Sequence, residues 1–132
     1  MSTLSSNRIG AITEEIVIAE LLKRDISVSR PVMDEPYDLV AEKNGKFLRI
    51  QCKTAYLRRE GTIRINTSIR GQHYRGKIDY FATEYQGDVY LLHVDNCSKH
   101  KQDLRLCQKG SQSNSKMLED YSIDKFTNIF KY

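Results

Sequence analysis

A hairpin in the first half of the chain gathers three residues of the kind that can hold a cation and act beside it. Asn44-Gly45 is the dipeptide best suited to a two-residue type I′ turn, so Lys43 faces Lys46 and each further cross-strand pair has residue numbers summing to 89. In that register Tyr37 with Cys52, Leu39 with Ile50 and Ala41 with Leu48 share one apolar face, which supports it independently. The opposite face carries Val40 with Arg49, Asp38 with Gln51, and Lys53 one step further, with Gln51 and Lys53 about 7 Å apart along the strand. A carboxylate, a carboxamide and an ammonium grouped in this way can bind a hard cation through oxygen while the lysine stands beside a reacting group. The bland alternative is a hydrogen-bonded surface trio on the polar face of a ribbon.

A second carboxylate stands on the element before the hairpin. Residues 9–24 read as a helix of strong formers with basic residues in its last turn and no internal proline. Its apolar side chains fall nearly all the way round, so the pattern predicts a mostly buried helix. Glu14 lies between Ile18 and Leu21 in angle, inside an apolar sector, where a carboxylate needs a cation or a proton. Glu15, with Ala19 and Leu22 as its neighbours, is a rival that geometry does not separate.

The elements around these residues follow from period and punctuation. Residues 26–32 alternate as a short strand, residues 37–42 and 46–54 are the hairpin strands, and Thr62 to Asn66 alternates with Ile63 and Ile65 on one face. Residues 69–76 read equally as a short helix or a loop. Residues 78–84 and 89–94 pair around Gln86-Gly87-Asp88, and residues 107–116 are a polar loop. After it Tyr121, Phe126, Ile129, Phe130 and Tyr132 form a late apolar set, either a subunit interface or a cover for the sheet. One helix followed by a meander, with connections too short for repeated βαβ crossovers, points to an α/β domain with a mixed or antiparallel sheet.

The charge is unevenly placed. The chain carries +4 overall, yet residues 43–77 hold ten basic residues against the single acid Glu60, leaving eleven basic and sixteen acidic elsewhere. A segment at +9 in an otherwise acidic chain points to a polyanion partner, since cations that neutralise phosphates release condensed counterions.

Gly10-Ala-Ile-Thr-Glu14 on the helix, Pro36-Tyr-Asp38 and Gln51-Cys-Lys53 on the hairpin, and the following Ile78-Asp-Tyr-Phe strand together resemble the PD-(D/E)xK nuclease superfamily. Within it they are most similar to the small group I intron-encoded homing endonucleases, in which Gln replaces the usual acid of the last motif. The resemblance covers about residues 8–95 of a single domain, residues 1–132, and leaves about 96–132 as a C-terminal extension. It implies an αβββαβ core, a mixed central sheet flanked by helices. It also implies catalytic positions at Glu14, Asp38, Gln51 and Lys53, favouring Glu14 over Glu15. Asp38, Glu14 and Gln51 would be ligands of Mg²⁺, with Mn²⁺ as a substitute, and the neutral amide of Gln51 favours one ion over two.

The implied activity is metal-dependent hydrolysis of double-stranded DNA by a site-specific homing-type endonuclease; the competing readings are a Holliday-junction-type resolvase and a non-cleaving DNA-binding module. DNA contacts are expected from Arg49, Tyr56, Arg58, Arg59, Arg64, Arg70, His73, Arg75 and Lys77, the arginines forming one positive surface beside the centre. A chain of this size has a diameter near ~36 Å, against roughly 68 Å for a site of about 20 base pairs, so a homodimer or homotetramer is expected.

The remaining composition is that of a globular chain: 39% apolar, 29% charged and no Trp. No apolar run reaches the ~18 residues of a membrane span and no secretory signal opens the chain, which reads as cytoplasmic. Three cysteines without a Cys-x-x-Cys pair disfavour a disulfide framework. Cys97, His100 and Cys107 lack a fourth partner at zinc-finger spacing, so free thiols are the better reading. His93, alternating with Val89 and Leu91, reads as a sheet histidine.

Overall fold

Asn44 and Gly45 both take left-handed backbone, with φ of +55° and +79°, and the strands beside them pair with residue numbers summing to 89. A computed structural model of the chain describes residues 3–58, 61–107 and 116–131. In chain order its elements are α1 (Ser6–Lys23), β1 (Ser27–Ser29), β2 (Leu39–Lys43), β3 (Lys46–Cys52), β4 (Tyr56–Arg58), β5 (Thr62–Asn66) and β6 (Ser68–Ile69). Then come β7 (Gln72–His73), β8 (Tyr80–Tyr85), β9 (Asp88–His93), β10 (Lys101–Arg105), β11 (Lys116–Met117) and α2 (Ile123–Phe126).

The hairpin β2–β3 lies inside a five-stranded sheet of order β1-β2-β3-β8-β9, in which β3 and β8 are parallel and the other neighbours antiparallel. Successive side chains of a strand point to opposite faces. Leu39, Ala41, Ile50, Ala82 and Leu91 therefore pack on one side against Val17 and Leu21 of α1 and against Ile123, Phe126 and Phe130. Phe81 and Leu92 pack on the other side against Ile63, Ile65 and Leu104 of a four-stranded sheet, β11-β10-β5-β4. The mixed sheet flanked by helical segments is thus the α/β architecture expected, with a second sheet added.

One expectation about these elements changes, and two readings left open are decided. Ser5 caps α1 by accepting the Arg8 N–H at 3.3 Å, but the helix buries only the stripe Thr13, Val17, Leu21, while Ile9, Ile12 and Leu22 are exposed. The sheet takes one stripe, and among the described residues nothing covers the outer face, so α1 is not mostly buried. Near residue 70 there is no helix: the connection between the parallel strands β3 and β8 runs through β4, β5 and the ribbon β6–β7. Left-handed φ at Arg70 and Gly71, +50° and +78°, is incompatible with a helical turn there.

The late apolar set covers the sheet. Phe126 and Phe130 are buried and Ile129 packs beside them, while Tyr121 joins the second core. Phe126 meets Tyr80 edge-on with ring centroids 4.9 Å apart. The β2–β3 turn seals the segment: Asn44 Nδ2 donates to the Phe130 carbonyl at 2.8 Å and Lys46 Nζ to that of Ile129 at 3.0 Å. Phe126 and Phe130 are therefore not available as interface residues; Tyr132, with Arg59 and most of the 107–116 loop, lies outside the described residues. Phe130→Ala is expected to lower stability in urea denaturation by about 3–5 kcal/mol, the cost of an emptied aromatic site, with no change in subunit number by light scattering. Dissociation without loss of stability would return Phe130 to an interface.

The cysteines are free thiols; Cys97 is buried, which pushes its thiol up to about 12, and Cys52 packs against the core beneath α1. His93 sits on the sheet with its ring edge-on to Tyr80 at 5.1 Å. No helix among the described residues is long and apolar enough to cross a membrane.

Candidate active site

The ladder ends at Leu39 with Ile50, so the expected pair of Tyr37 with Cys52 is not made: the chain leaves the register there, and Tyr37 packs in the second core while Cys52 packs against the first. Asp38 N–H donates to the Ile50 carbonyl at 2.8 Å, and the Asp38 carboxylate Oδ2 accepts the Cys52 N–H at 2.9 Å. Neither bond joins residues that sum to 89, so the carboxylate acts as a backbone acceptor at the end of β3 and is held in place by it. Its other oxygen, Oδ1, has no hydrogen bond among the described residues. Asp38 and Gln51 line a cleft of about 420 Å³ together with Asp34, Glu35, Pro36, Ile69, His73, Tyr74 and Lys77.

Lys53 follows on the same strand end. Its N–H donates to the Ala82 carbonyl at 2.9 Å, tying it to β8, and its Nζ donates to the Tyr74 hydroxyl at 3.1 Å. The ammonium is also 4.8 Å from the Tyr74 ring centroid, a cation–π distance, and Tyr74 is buried edge-on against Phe81 at 5.4 Å. The rotamer of Lys53 is thus fixed by an aromatic that the core fixes in turn.

The helix adds its acid. Glu14 is the more buried of the rival pair, its side chain 25% exposed against 67% for Glu15. Arg30, on the chain leaving β1, clamps both: its Nε donates to Glu14 Oε1 at 3.0 Å and its Nη2 to Glu15.

The electrostatics show these groups sharing one field. Burial pushes the Asp38 carboxyl above its ordinary range; the Cys52 N–H opposes this, the charge of Glu14 adds to it, and Lys53 and Arg30 oppose it. Burial lowers the proton affinity of Lys53, against the pull of Asp38. Tyr74 and Cys52 are raised by burial first and by the charge of Asp38 second. A half-buried Asp38 carboxylate whose charge is disfavoured by burial and by Glu14 is what a divalent cation relieves.

The donor set fits such an ion. Asp38 Oδ1, a Glu14 oxygen and the Gln51 amide oxygen are all hard donors of the kind Mg²⁺ takes. No group of three or more His, Cys, Asp or Glu among the described residues could hold a metal without an amide. The amide oxygen of Gln51 is a neutral donor that could join the two carboxylates, with waters or phosphate oxygens completing the shell.

The expected DNA contacts divide. His73 and Lys77 are at the cleft wall, and Arg70 is exposed at the tip of the β6–β7 ribbon. By register Tyr56, Arg64 and Asp103 share a face, as do Arg58, Thr62 and Arg105, opposite the buried Ile63 and Leu104. Arg64 is forked onto Asp103, and Tyr56 donates to Asn66 Oδ1 at 3.4 Å. Arg49 is held by Asp79 through Nε, Nη2 and its own N–H, and Arg75 Nη2 donates to the Cys97 carbonyl at 2.8 Å.

Asp38 and Gln51 thus share a cleft with His73 and Lys77, and Glu14 and Lys53 are near enough for their charges to act on Asp38. The structure places Arg58 and Arg64 on the outer face of the second sheet. Sequence reasoning missed Arg30 and the seating of Lys53 by Tyr74. The available signal for Arg30 was an isolated cation eight residues before Asp38.

A family model for PD-(D/E)XK endonucleases matches residues 4–124. Among solved structures, a bacterial homing endonuclease, I-Ssp6803I, superposes with a TM-score of 0.72, covering 96% of this chain and 91% of that one at 19% identity. At that identity the likeness is one of fold. No curated protein matches the chain.

Proposed function

Because the chain belongs to the PD-(D/E)XK endonuclease family, we propose that it is a divalent-metal-dependent endonuclease that cuts double-stranded DNA at specific sites, in the manner of homing enzymes. What supports this reading is that Asp38 and Gln51 line one cleft at the end of the β2–β3 hairpin, with the charges of Lys53 and Glu14 acting on Asp38.

Asp38, Gln51 and Glu14 would hold the ion. When bound, Mg²⁺, or Mn²⁺ in its place, supplies Lewis-acid polarisation of a phosphate oxygen. Lys53, seated by Tyr74, orients the attacking water or stabilises the negative charge that grows as water adds in line and the P–O bond to the leaving sugar breaks. Burial lowers the proton affinity of Lys53 and the charge of Asp38 partly restores it; the electrostatic role needs no proton transfer. Lys77 and His73 are placed to meet phosphates entering the cleft. Arg30 positions Glu14.

One cutting centre per chain breaks one strand at a time, so a double-strand break calls for two copies related by a two-fold axis. With Phe126 and Phe130 in the core, the exposed apolar groove of α1 at Ile12, Ile16 and Ala19 is the surface offered for that contact.

Incubation with random duplex and branched-DNA libraries, in Mg²⁺ and then in EDTA, tests the reading. Cleavage of duplexes at a restricted set of sites in Mg²⁺ alone is the expected result, with light scattering showing a dimer or tetramer. Cleavage confined to branches would replace it with a junction resolvase. Binding without cleavage of any substrate would replace it with a non-cleaving module.

A further inference from the structure

Between β5 and β8 the chain makes a two-stranded ribbon of its own, in which Ser68 pairs with His73 and Ile69 with Gln72, joined to neither larger sheet. Its two-residue turn is Arg70-Gly71, with φ of +50° and +78°, the left-handed pair that a type I′ hairpin requires. So short a ribbon is marginal alone, and its root is held instead. Thr67 is buried, its N–H donating to the His100 carbonyl and its hydroxyl to that of Ser98, and Tyr74 is buried against Phe81.

The rest of the ribbon has no packing task. Ile69, Arg70, Gly71, Gln72 and His73 are all exposed, and Ile69 is 52% exposed although apolar. Arginine at φ +50° is strained where Asn or Gly would be relaxed, so the fold does not explain its presence. The stretch between Ser68 and Ile78 contains no acid and carries Arg70, Arg75 and Lys77. Ile69, His73 and Lys77 line the same cleft as Asp38 and Gln51, so a polyanion entering that cleft meets this ribbon.

A DNA major groove admits a two-stranded ribbon, and three residues of extended chain reach roughly 10 Å against a groove depth of about 8.5 Å. The residue types at the tip match base edges: Arg forks onto the O6 and N7 of guanine, Gln onto the N6 and N7 of adenine, and an aliphatic chain meets the thymine methyl. We propose that the Ser68–His73 ribbon enters the major groove beside the scissile phosphate and that Arg70 and Gln72 read base edges there, setting part of the enzyme's sequence preference. The proposal rests on the endonuclease reading above and adds to it the element that specifies sequence.

The test sequences the products cut from a randomised duplex library by wild type, Arg70→Asn and Gln72→Ala, with melting curves in parallel. Arg70→Asn relaxes the turn, so its melting temperature is expected to hold or rise. Its discrimination at one base pair is expected to fall on the order of 10- to 100-fold, with Gln72→Ala relaxing a neighbouring pair and preferences elsewhere unchanged. Wild-type preference at every position in both variants, or equal weakening on all sequences as for a phosphate contact, would overturn the proposal and leave the endonuclease reading standing. Failure of the wild type to cut any duplex would overturn both.

Discussion

Lys53→Ala is expected to slow single-turnover cleavage by on the order of 10²- to 10³-fold or more, while duplex affinity and melting temperature stay close to wild type. The loss is large because the ammonium is preorganised: Tyr74 fixes it at 3.1 Å and the core fixes Tyr74, so little reorganisation is needed when charge develops on the phosphate. Affinity survives because Lys53 is one of ten basic residues between positions 43 and 77, a small share of the electrostatic footprint. The fold survives because the strand bond from Lys53 N–H to Ala82 involves no side chain. Wild-type cleavage by this variant, with an unchanged melting temperature, would show that the centre lies elsewhere.

Asp38→Asn is expected to abolish cleavage and, with it, stabilisation by metal. The amide oxygen can still accept the Cys52 N–H, so the hairpin end is preserved. The substitution also removes a half-buried charge that Glu14 opposes, so in EDTA the variant is expected to melt no lower than wild type. In Mg²⁺ at 100 times its dissociation constant, wild type should gain about 2.7 kcal/mol and the variant nothing. Thermal unfolding of both proteins in EDTA and in Mg²⁺ measures this; an equal metal-induced shift in the two would remove Asp38 from the ligand set.

The candidate site was legible in the chain as far as its geometry is local. Asn44-Gly45 sets the register and the pairs Leu39 with Ile50 and Ala41 with Leu48 follow it, whereas Tyr37 and Cys52 pack in different cores. Contacts set by distant partners were not legible. The alternation of Thr62 to Asn66 identifies a strand and its buried face, but pairing with Lys101 to Arg105 depends on which distant strand closes over it. Residues 96–131 read as an extension, yet they supply β10, β11 and the aromatics over the main sheet, because apolar content shows that a residue is buried without showing against what. The same limit applies to α1: its apolar side chains run all round, and only the sheet selects Thr13, Val17 and Leu21 as its inner stripe. The Arg30 clamp on Glu14 spans sixteen residues and two elements, beyond the reach of periodicity.

The claim that these residues form one metal-dependent cutting centre is tested most directly by counting bound metal. Titration of Mn²⁺ into the free protein, followed by electron paramagnetic resonance, is expected to show one ion per wild-type chain, lost in Asp38→Asn and retained in Lys53→Ala. Equal Mn²⁺ binding by wild type and Asp38→Asn, or none by wild type, would contradict it.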